Sequence, residues 1–231
     1  MSIIGLSGKI GVGKDTVGSI IQYLTFCKHY NRTDLSYEDF TNSIGWVPIW
    51  EIKKFAGKLK QIASLLTGIP VEDFEDQEFK KSYLGAEWGT VESNPLNAVP
   101  VFENIEFNHL MSVRELLQKL GTEAIRDGLH PNAWVNALMC EYKRPKLSEY
   151  NPSNWIITDV RFPNELEAVK DVKGLTLKVV RPVEKSKTPA RLHPSETSLD
   201  KAEFDYTIIN DGSIEDLIEK VRQILITEKI I

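Results

Sequence analysis

A glycine-rich stretch near the start of the chain, LSGKIGVGKDT, restricts the fold more than any other part of the sequence. The apolar run at residues 2–7 just before it predicts a buried strand. Beyond it, apolar residues recur at helical spacing from Lys14 to about Thr25. Gly8, Gly11 and Gly13 therefore lie between a strand and a helix, which predicts the first unit of an α/β fold.

The spacing Gly8-x-x-x-x-Gly13-Lys14 fits the P-loop pattern, in which consecutive backbone N–H groups curl around an anion. The N-terminal end of the following helix adds positive charge, and the lysine can reach the outer phosphates of a nucleotide. The alternative interpretation is a glycine-rich turn with a surface lysine. The loop predicts a nucleotide phosphate site at Gly8, Gly11, Val12, Gly13, Lys14, Asp15 and Thr16.

Asp15 departs from the pattern, which usually has a serine or threonine at this position. The usual hydroxyl ligates the magnesium ion that accompanies the nucleotide. A carboxylate is also a hard oxygen ligand, and the neighbouring Thr16 offers a hydroxyl. We therefore expect Mg²⁺ at this site, with either Asp15 or Thr16 as its ligand.

The charge balance narrows the class of partner. The 231 residues include 28 lysines and arginines against 33 acidic residues, a net charge of −5, which argues against a nucleic-acid polymer or a membrane surface as partner. Small anionic ligands remain compatible with this net charge.

The cysteines indicate the cellular compartment. Cys27 and Cys140 are too few for a disulfide framework, and no signal peptide or membrane span is visible. We therefore expect the protein in the cytoplasm, or in the host cytoplasm if it is viral.

Strand and helix patterns alternate along the chain, which predicts a parallel sheet with helices on both faces. The length suits one α/β domain over residues 1–231, with an insertion at about 57–153 whose part 68–108 has no readable period. The predicted strands are residues 2–7, 50–56, 154–159, 175–180 and 206–210. The predicted helices are residues 14–25, 58–66, 112–128, 132–142, 164–172 and 213–227, the last with Ser213 as N-cap, and residues 28–46 read as a loop or irregular helix.

Several later motifs resemble those of the phage-type deoxynucleoside monophosphate kinases, a branch of the P-loop kinases. They are the Lys-Asp-Thr after the glycine loop, FAGKLK, SVRELLQKLGTE, TDVRFPNELE, VVRP, HPSE and INDGSIEDL, and they follow the family's order over most of the chain. The resemblance implies a P-loop kinase fold and transfer of the γ-phosphoryl group of ATP to the 5′-phosphate of a deoxynucleoside monophosphate. It implies that the monophosphate meets Lys60, Arg114, Gln118, Gly121, Thr122, Trp134, Asp159, Arg161 and Glu165.

The residue types in the SVRELLQKLGTE motif suit that substrate. Arg114, Gln118 and Thr122 are four apart and would line one face of a helix, with Gly121 leaving space for a ligand. An arginine grips a phosphate with two hydrogen bonds, and a glutamine amide both donates to and accepts from a base edge. The alternative is a solvated helix face.

At the end of a predicted strand, Asp159 and Arg161 would face the same way if the strand continued. There they could organise the acceptor and steady the transferring phosphoryl group, so we expect both, with Lys14, to be catalytic; a structural ion pair is the alternative. Trp134 could stack on a base or belong to the core. Asn210 and Gly212 lie where P-loop kinases commonly pass the adenine, although Asn-Asp-Gly also suits a plain turn.

The charged, proline-containing segment 181–203 is predicted to be a lid that closes over the phosphates, with Arg191 as a further catalytic residue. An exposed connector is the alternative.

Three other functions compete with the deoxynucleoside monophosphate kinase interpretation. They are a small-molecule P-loop kinase of the phosphomevalonate or dephospho-coenzyme A type, a GTP-driven switch, and a nucleotide-binding module without turnover. The sequence leaves the accepted bases open, and a homodimer is compatible with it.

Overall fold

The computed structural model describes residues 2–43, 45–89, 109–143, 154–182 and 197–231. These residues form two compact units. The first unit is assembled from two separated segments, Met1–Phe55 and Ala137–Ile231. The second unit is the continuous segment Ala56–Asn136.

A parallel sheet forms the centre of the first unit and confirms all five predicted strands. Its strands are β1 (Ile3–Ser7), β2 (Trp50–Lys53), β3 (Asn154–Val160), β4 (Leu175–Val180) and β5 (Tyr206–Ile209). They lie in the order β2-β3-β1-β4-β5, and every neighbouring pair is parallel. The order places β1 in the middle, so the glycine loop leaves from the centre of the sheet.

Helices cover both faces of this sheet, as predicted. The α-helices in the described residues are α1 (Lys14–Tyr30), α2 (Tyr37–Asn42), α3 (Ala56–Thr67), α4 (Val113–Gln118), α5 (Ala133–Lys143), α6 (Pro163–Asp171) and α7 (Ile214–Thr227). Ile4 and Leu6 pack into the apolar core with α1 and α7. Gly5 points to the opposite face, because side chains alternate along a strand, and a Cβ there would lie 3.2 Å from Val169 of α6. The α/β fold class is therefore confirmed.

Helix α1 extends beyond its predicted end at Thr25, and α2 follows inside the segment 28–46. Phe26 is buried and its ring packs against Phe40 and Trp46, which lengthens the helix past its polar residues. The helix ends at Tyr30 and is capped by Asn31, whose backbone is left-handed with φ 52°. Ser213 caps α7 as predicted, since its hydroxyl accepts from the Asp216 N–H.

The second unit has its own apolar core, formed by Ala63, Phe74, Leu84, Val113 and Leu116. Three short 3₁₀ turns, Val71–Glu75, Phe79–Lys81 and Ala86–Trp88, occupy the first part of the segment whose sequence had no readable period. Residues 90–108 lie outside the described part of the chain. Short 3₁₀ turns present no sustained apolar period, which explains why the sequence pattern failed there.

The predicted helix at residues 112–128 is α-helical only as far as Gln118. Lys119–Asp127 continues it as a π-helix, with i→i+5 hydrogen bonds. Ala124, which the sequence pattern placed in the apolar stripe, is exposed. The prediction of one continuous α-helix over residues 112–128 was therefore wrong, while the shared face of Arg114, Gln118 and Thr122 stays a prediction.

Candidate active site

The glycine loop between β1 and α1 has the backbone that its glycines permit. Gly8, Gly11 and Gly13 have φ of 150°, 79° and 98°, values that residues with a side chain rarely adopt. A Cβ at Gly8 would lie 2.3 Å from the Val179 carbonyl oxygen, so β4 also leaves no room for a side chain there. The loop ends at Gly13, which precedes the first turn of α1 and its free backbone N–H groups.

Lys14 folds its side chain back across this loop. Its ammonium donates to the carbonyl oxygens of Gly8 at 2.6 Å and Lys9 at 2.7 Å, and the residue is buried. The positive charge is thus held against the backbone that surrounds the predicted phosphate position. Thr16, on the same helical turn, is half-buried.

Asn210 directly follows β5, the edge strand of the sheet, and its side chain binds the glycine loop. Its side-chain amide donates to the Val12 carbonyl oxygen at 2.9 Å, and its backbone N–H donates to Val180. The residue is buried, and its amide nitrogen would lie only 2.7 Å from a Cβ at Gly13. The sequence predicted a contact with adenine for Asn210 and Gly212. That prediction is untested, but the structure shows that the Asn210 amide supports the loop.

The Asp15 carboxylate is held by side chains from two strand ends. Oδ1 accepts from the Thr158 hydroxyl at 2.8 Å and lies 3.4 Å from the Lys54 ammonium. Neighbouring atoms displace part of the water around the carboxyl, which raises its pKa, but Lys54, the Thr158 hydroxyl and Lys14 outweigh this and lower the pKa below its ordinary value. Asp15 is therefore an anion flanked by two lysines.

Asp159 is the residue before the last in β3, and it supports the chain that follows β2. Its Oδ1 accepts from the Phe55 backbone N–H at 2.8 Å, and the residue is buried. Arg161 comes after the end of the strand, so the predicted same-side arrangement on a continuing strand is not what positions it. Glu165, at the start of α6, accepts from the backbone N–H groups of Arg161 at 2.8 Å and Phe162 at 3.1 Å. It fixes the turn that carries Arg161.

Among the predicted substrate residues of the second unit, Lys60 and Arg114 contact neighbouring side chains. The Lys60 ammonium is buried and pairs with the carboxylate of Glu75. Arg114 lies near Gln77, whose side-chain oxygen accepts from its guanidinium at 3.3 Å. Gln118 is exposed on the last turn of α4.

Gly121 and Trp134 are joined inside the second unit. The Trp134 indole N–H donates to the Gly121 carbonyl at 2.8 Å, and the indole is buried. A Cβ at Gly121 would lie 2.8 Å from Cδ2 of Leu59 on α3. The space that the sequence assigned to a ligand beside Gly121 is filled by this leucine, which is a correction. The burial of the indole places Trp134 in the core, and base stacking by this residue remains a prediction.

The predicted Arg191 contact and most of the predicted lid lie outside the described residues, which include 181–182 and 197–203 of that segment. Sequence reasoning missed two residues that the structure brings to the loop, Lys54 and Thr158. Lys54 directly precedes the FAGKLK motif and Thr158 is the first residue of TDVRFPNELE. Their contact with Asp15 is not readable from local sequence, since Thr158 is 143 residues from Asp15. Within the described ranges, no helix is long and apolar enough to span a bilayer.

Comparisons with known proteins agree on one family. The family model for deoxynucleotide monophosphate kinase matches residues 76–221. A deoxynucleoside-5′-monophosphate kinase of Escherichia phage T5 is 29% identical over 90% of this chain and 89% of its own length. A deoxynucleotide monophosphate kinase of Enterobacteria phage T4 is 34% identical, over 54% of this chain and 49% of its own length. One of Escherichia phage RB69 is 30% identical, over 51% and 46% respectively.

Proposed function

Because this chain belongs to the deoxynucleotide monophosphate kinase family, we propose that its glycine loop holds ATP while a deoxynucleoside 5′-monophosphate accepts the γ-phosphoryl group. An oxygen of the acceptor 5′-phosphate forms the new bond to the γ-phosphorus, and the bond from that phosphorus to the β,γ-bridging oxygen breaks. The products are a deoxynucleoside diphosphate and ADP. Such transfer needs mainly positioning and stabilisation of negative charge.

The observation that carries this proposal is the conformation of the loop with Lys14. Left-handed glycine backbone, a helix N-terminus and an ammonium bonded to the carbonyls of Gly8 and Lys9 make a site suited to an anion with several charged oxygens. On binding, the Lys14 ammonium can exchange those carbonyls for β- and γ-phosphate oxygens. An ammonium already beside the phosphates stabilises the charge that develops during transfer.

Magnesium suits the donors on the first turn of α1. The Asp15 carboxylate and the Thr16 hydroxyl are hard oxygen donors, and Mg²⁺ is usually held by one or two protein oxygens together with substrate phosphates. When bound, the ion neutralises charge on the nucleotide phosphates. The chain's own task there is to keep Asp15 ionised, which Lys54 and Thr158 favour.

We assign acceptor binding to the residues that the family motifs mark. In the first unit, Asp159 and Arg161 lie at the carboxyl end of β3, and ligands of open parallel sheets bind at the carboxyl ends of the strands. In the second unit, Arg114 would bind the acceptor phosphate and Gln118 the base. Lys60, Gly121, Thr122, Trp134 and Glu165 complete the proposed set, in which Glu165 acts by holding the Arg161 turn.

Small nucleotides, and not nucleic-acid polymers, are the proposed partners, in keeping with the net charge of −5. Cys27 and Cys140 are free thiols, which suits the reducing cytoplasm that we propose as the place of action.

An ADP-release assay with each common deoxy- and ribonucleoside monophosphate tests the function. We expect ATP-dependent formation of diphosphate from at least one deoxynucleoside monophosphate, identified by chromatography, and turnover lower by about two to four orders of magnitude with the Lys14→Ala variant. Turnover only with phosphomevalonate or dephospho-coenzyme A would identify the other kinase class. ATP binding without ADP formation under all conditions would identify a binding module without turnover.

A further inference from the structure

Three side chains from three elements meet beside the glycine loop, and neither the motifs nor the family match gives Lys54 a role. Lys54 directly follows β2, Thr158 lies on β3, and Asp15 is on the first turn of α1. The Lys54 ammonium is 3.4 Å from Oδ1 of Asp15, and the Thr158 hydroxyl donates to the same oxygen. A second lysine is thus fixed at the end of the helix where the proposed function places the phosphates.

We propose that Lys54 is a phosphate-binding residue of the kinase reaction, which Asp15 and Thr158 hold in position to contact the phosphoryl group in transit. This inference rests on the proposed function. Thr158 is a positioning residue in it, because its hydroxyl fixes the Asp15 carboxylate that faces the Lys54 ammonium.

The position of Lys54 in the sheet indicates which phosphate it meets. Asn210 binds the loop from the β4–β5 side, whereas Lys54 and Thr158 approach from the β2–β3 side. Asp159, a proposed acceptor-binding residue, is on this same side at the end of β3. Lys54 therefore lies on the acceptor side of the loop, where the γ-phosphoryl group has to pass.

The chemistry of the cluster fits a cation that binds a phosphate. An ammonium carries three N–H donors, so it can keep the Asp15 carboxylate and also donate to a phosphate oxygen. Asp15 is 73% exposed and Lys54 27% exposed, and a surface ion pair of this kind adds little to stability, about 0–1 kcal/mol. The fold therefore does not depend on the pair. A carboxylate tether leaves the long lysine side chain with less freedom, which suits a charge that must be in place before transfer.

Lys53 provides a matched control one residue away. Its ammonium is 2.5 Å from Glu51 and 5.1 Å from the centre of the Trp155 ring. Trp155 and Thr158 are three residues apart on β3, so they lie on opposite faces of the sheet. Replacement of Lys53 removes the same charge from the same segment, away from the glycine loop.

The first experiment compares Lys54→Met with Lys53→Met in the coupled ADP assay with the full chain. We expect kcat to fall about 100-fold for Lys54→Met, the size of effect seen when one preorganised donor to a transition state is lost. The KM for ATP should change less than threefold, and the denaturation midpoint should stay at the wild-type value. Lys53→Met should keep kcat within threefold of wild type.

A chemical rescue separates the charge of Lys54 from its bulk. Lys54→Cys treated with 2-bromoethylamine regains an ammonium at almost the same length, whereas iodoacetamide adds a neutral group. We expect 2-bromoethylamine to raise the kcat of Lys54→Cys at least tenfold, and iodoacetamide to leave it unchanged. Wild-type enzyme treated in parallel controls for alkylation of Cys27 and Cys140.

The positioning role is tested by a double-mutant cycle of Thr158→Val with Lys54→Met. If Thr158 acts through Lys54, the double variant should be no slower than Lys54→Met alone. Multiplied losses would overturn the positioning role. Equal activities of the Lys54→Met and Lys53→Met variants, or rescue by both reagents alike, would overturn the assignment of Lys54. Wild-type enzyme inactive on every deoxynucleoside monophosphate would instead refute the proposed function.

Discussion

Loss of the hydrogen bond from the Asn210 side chain to the glycine loop should weaken both folding and ATP binding, and the size of each effect follows from the geometry. A peptide unit is planar and trans, so the Val12 carbonyl and the Gly13 N–H point in opposite directions. Because the carbonyl is bonded to the Asn210 amide at 2.9 Å, the Gly13 N–H is directed away from Asn210. The side chain of Asn210 thus sets the orientation of one N–H donor in the phosphate loop.

Replacement of Asn210 by alanine should release this peptide unit. Loss of the donor to the Val12 carbonyl in a buried place costs about 1–3 kcal/mol of unfolding free energy. If the freed peptide turns, ATP loses one hydrogen bond to a charged group, worth about 1.5–3 kcal/mol. Since about 1.4 kcal/mol is tenfold in affinity, the Kd for ATP should rise about 10- to 150-fold.

Asn210→Asp sharpens the test, because it keeps the shape and changes only the donor. The ionised carboxylate opposes the Val12 carbonyl oxygen, whereas the protonated acid can still donate to it, so the pKa of the new carboxyl should be raised in the folded state. The folded protein then binds more protons than the unfolded chain, and the unfolding free energy falls as pH rises. The loss should begin near the unfolded pKa of about 3.9 and be complete above the raised folded value.

Urea denaturation at several pH values and calorimetric titration with ATP measure both effects. Asn42→Ala, at an exposed position of α2, is the control for loss of an asparagine. The reasoning would be refuted by an Asn210→Ala variant that binds ATP and unfolds like wild type, or by an Asn210→Asp variant whose stability relative to wild type does not depend on pH.

Three further predictions concern the loop and the second unit. Lys14→Ala should lower kcat by about two to four orders of magnitude in a protein with unchanged circular dichroism, because a preorganised charge is lost; near-normal turnover would exclude the loop as the phosphate site. Arg114→Ala should weaken all deoxynucleotide acceptors alike, while Gln118→Ala should change their ranking, because a phosphate contact is blind to the base; proportional losses in both would contradict these roles. Gly121→Ala should destabilise the protein by about 1–3 kcal/mol through the Leu59 contact, measured by denaturation, and Leu59→Ala in the same chain should recover part of it; full stability of the single variant would contradict the close packing.

The strands of this protein were predictable because each is a short apolar run of the kind buried in parallel sheets. The loop was equally clear, since three glycines and a lysine leave few alternatives between a strand and a helix. The π-helix at Lys119–Asp127 could not be predicted from the same patterns. An apolar period cannot distinguish i→i+4 from i→i+5 hydrogen bonding over two turns, so Ala124 was wrongly placed in the apolar stripe.

The contacts of the candidate site were the other part that the sequence could not supply. Asn210 and Val12 are 198 residues apart, and nothing local to Asn-Asp-Gly distinguishes a loop support from a turn. Asp15 was recognised as unusual, but its partners Lys54 and Thr158 come from two other strand ends. Residue types indicated the chemistry, and only the strand order β2-β3-β1-β4-β5 shows which of them meet.

The central place of β1 has a consequence for how the chain is made. Ile3 is paired with Trp155, and Ile4 with Leu175, so β1 leaves the ribosome more than 150 residues before the strands that pair with it. Closure of so long a loop is slow, whereas the continuous unit Ala56–Asn136 can bury its own core as soon as it has been synthesised. During synthesis the second unit should therefore become protease-resistant first, and the glycine loop should acquire its shape only after β3 and β4 have emerged.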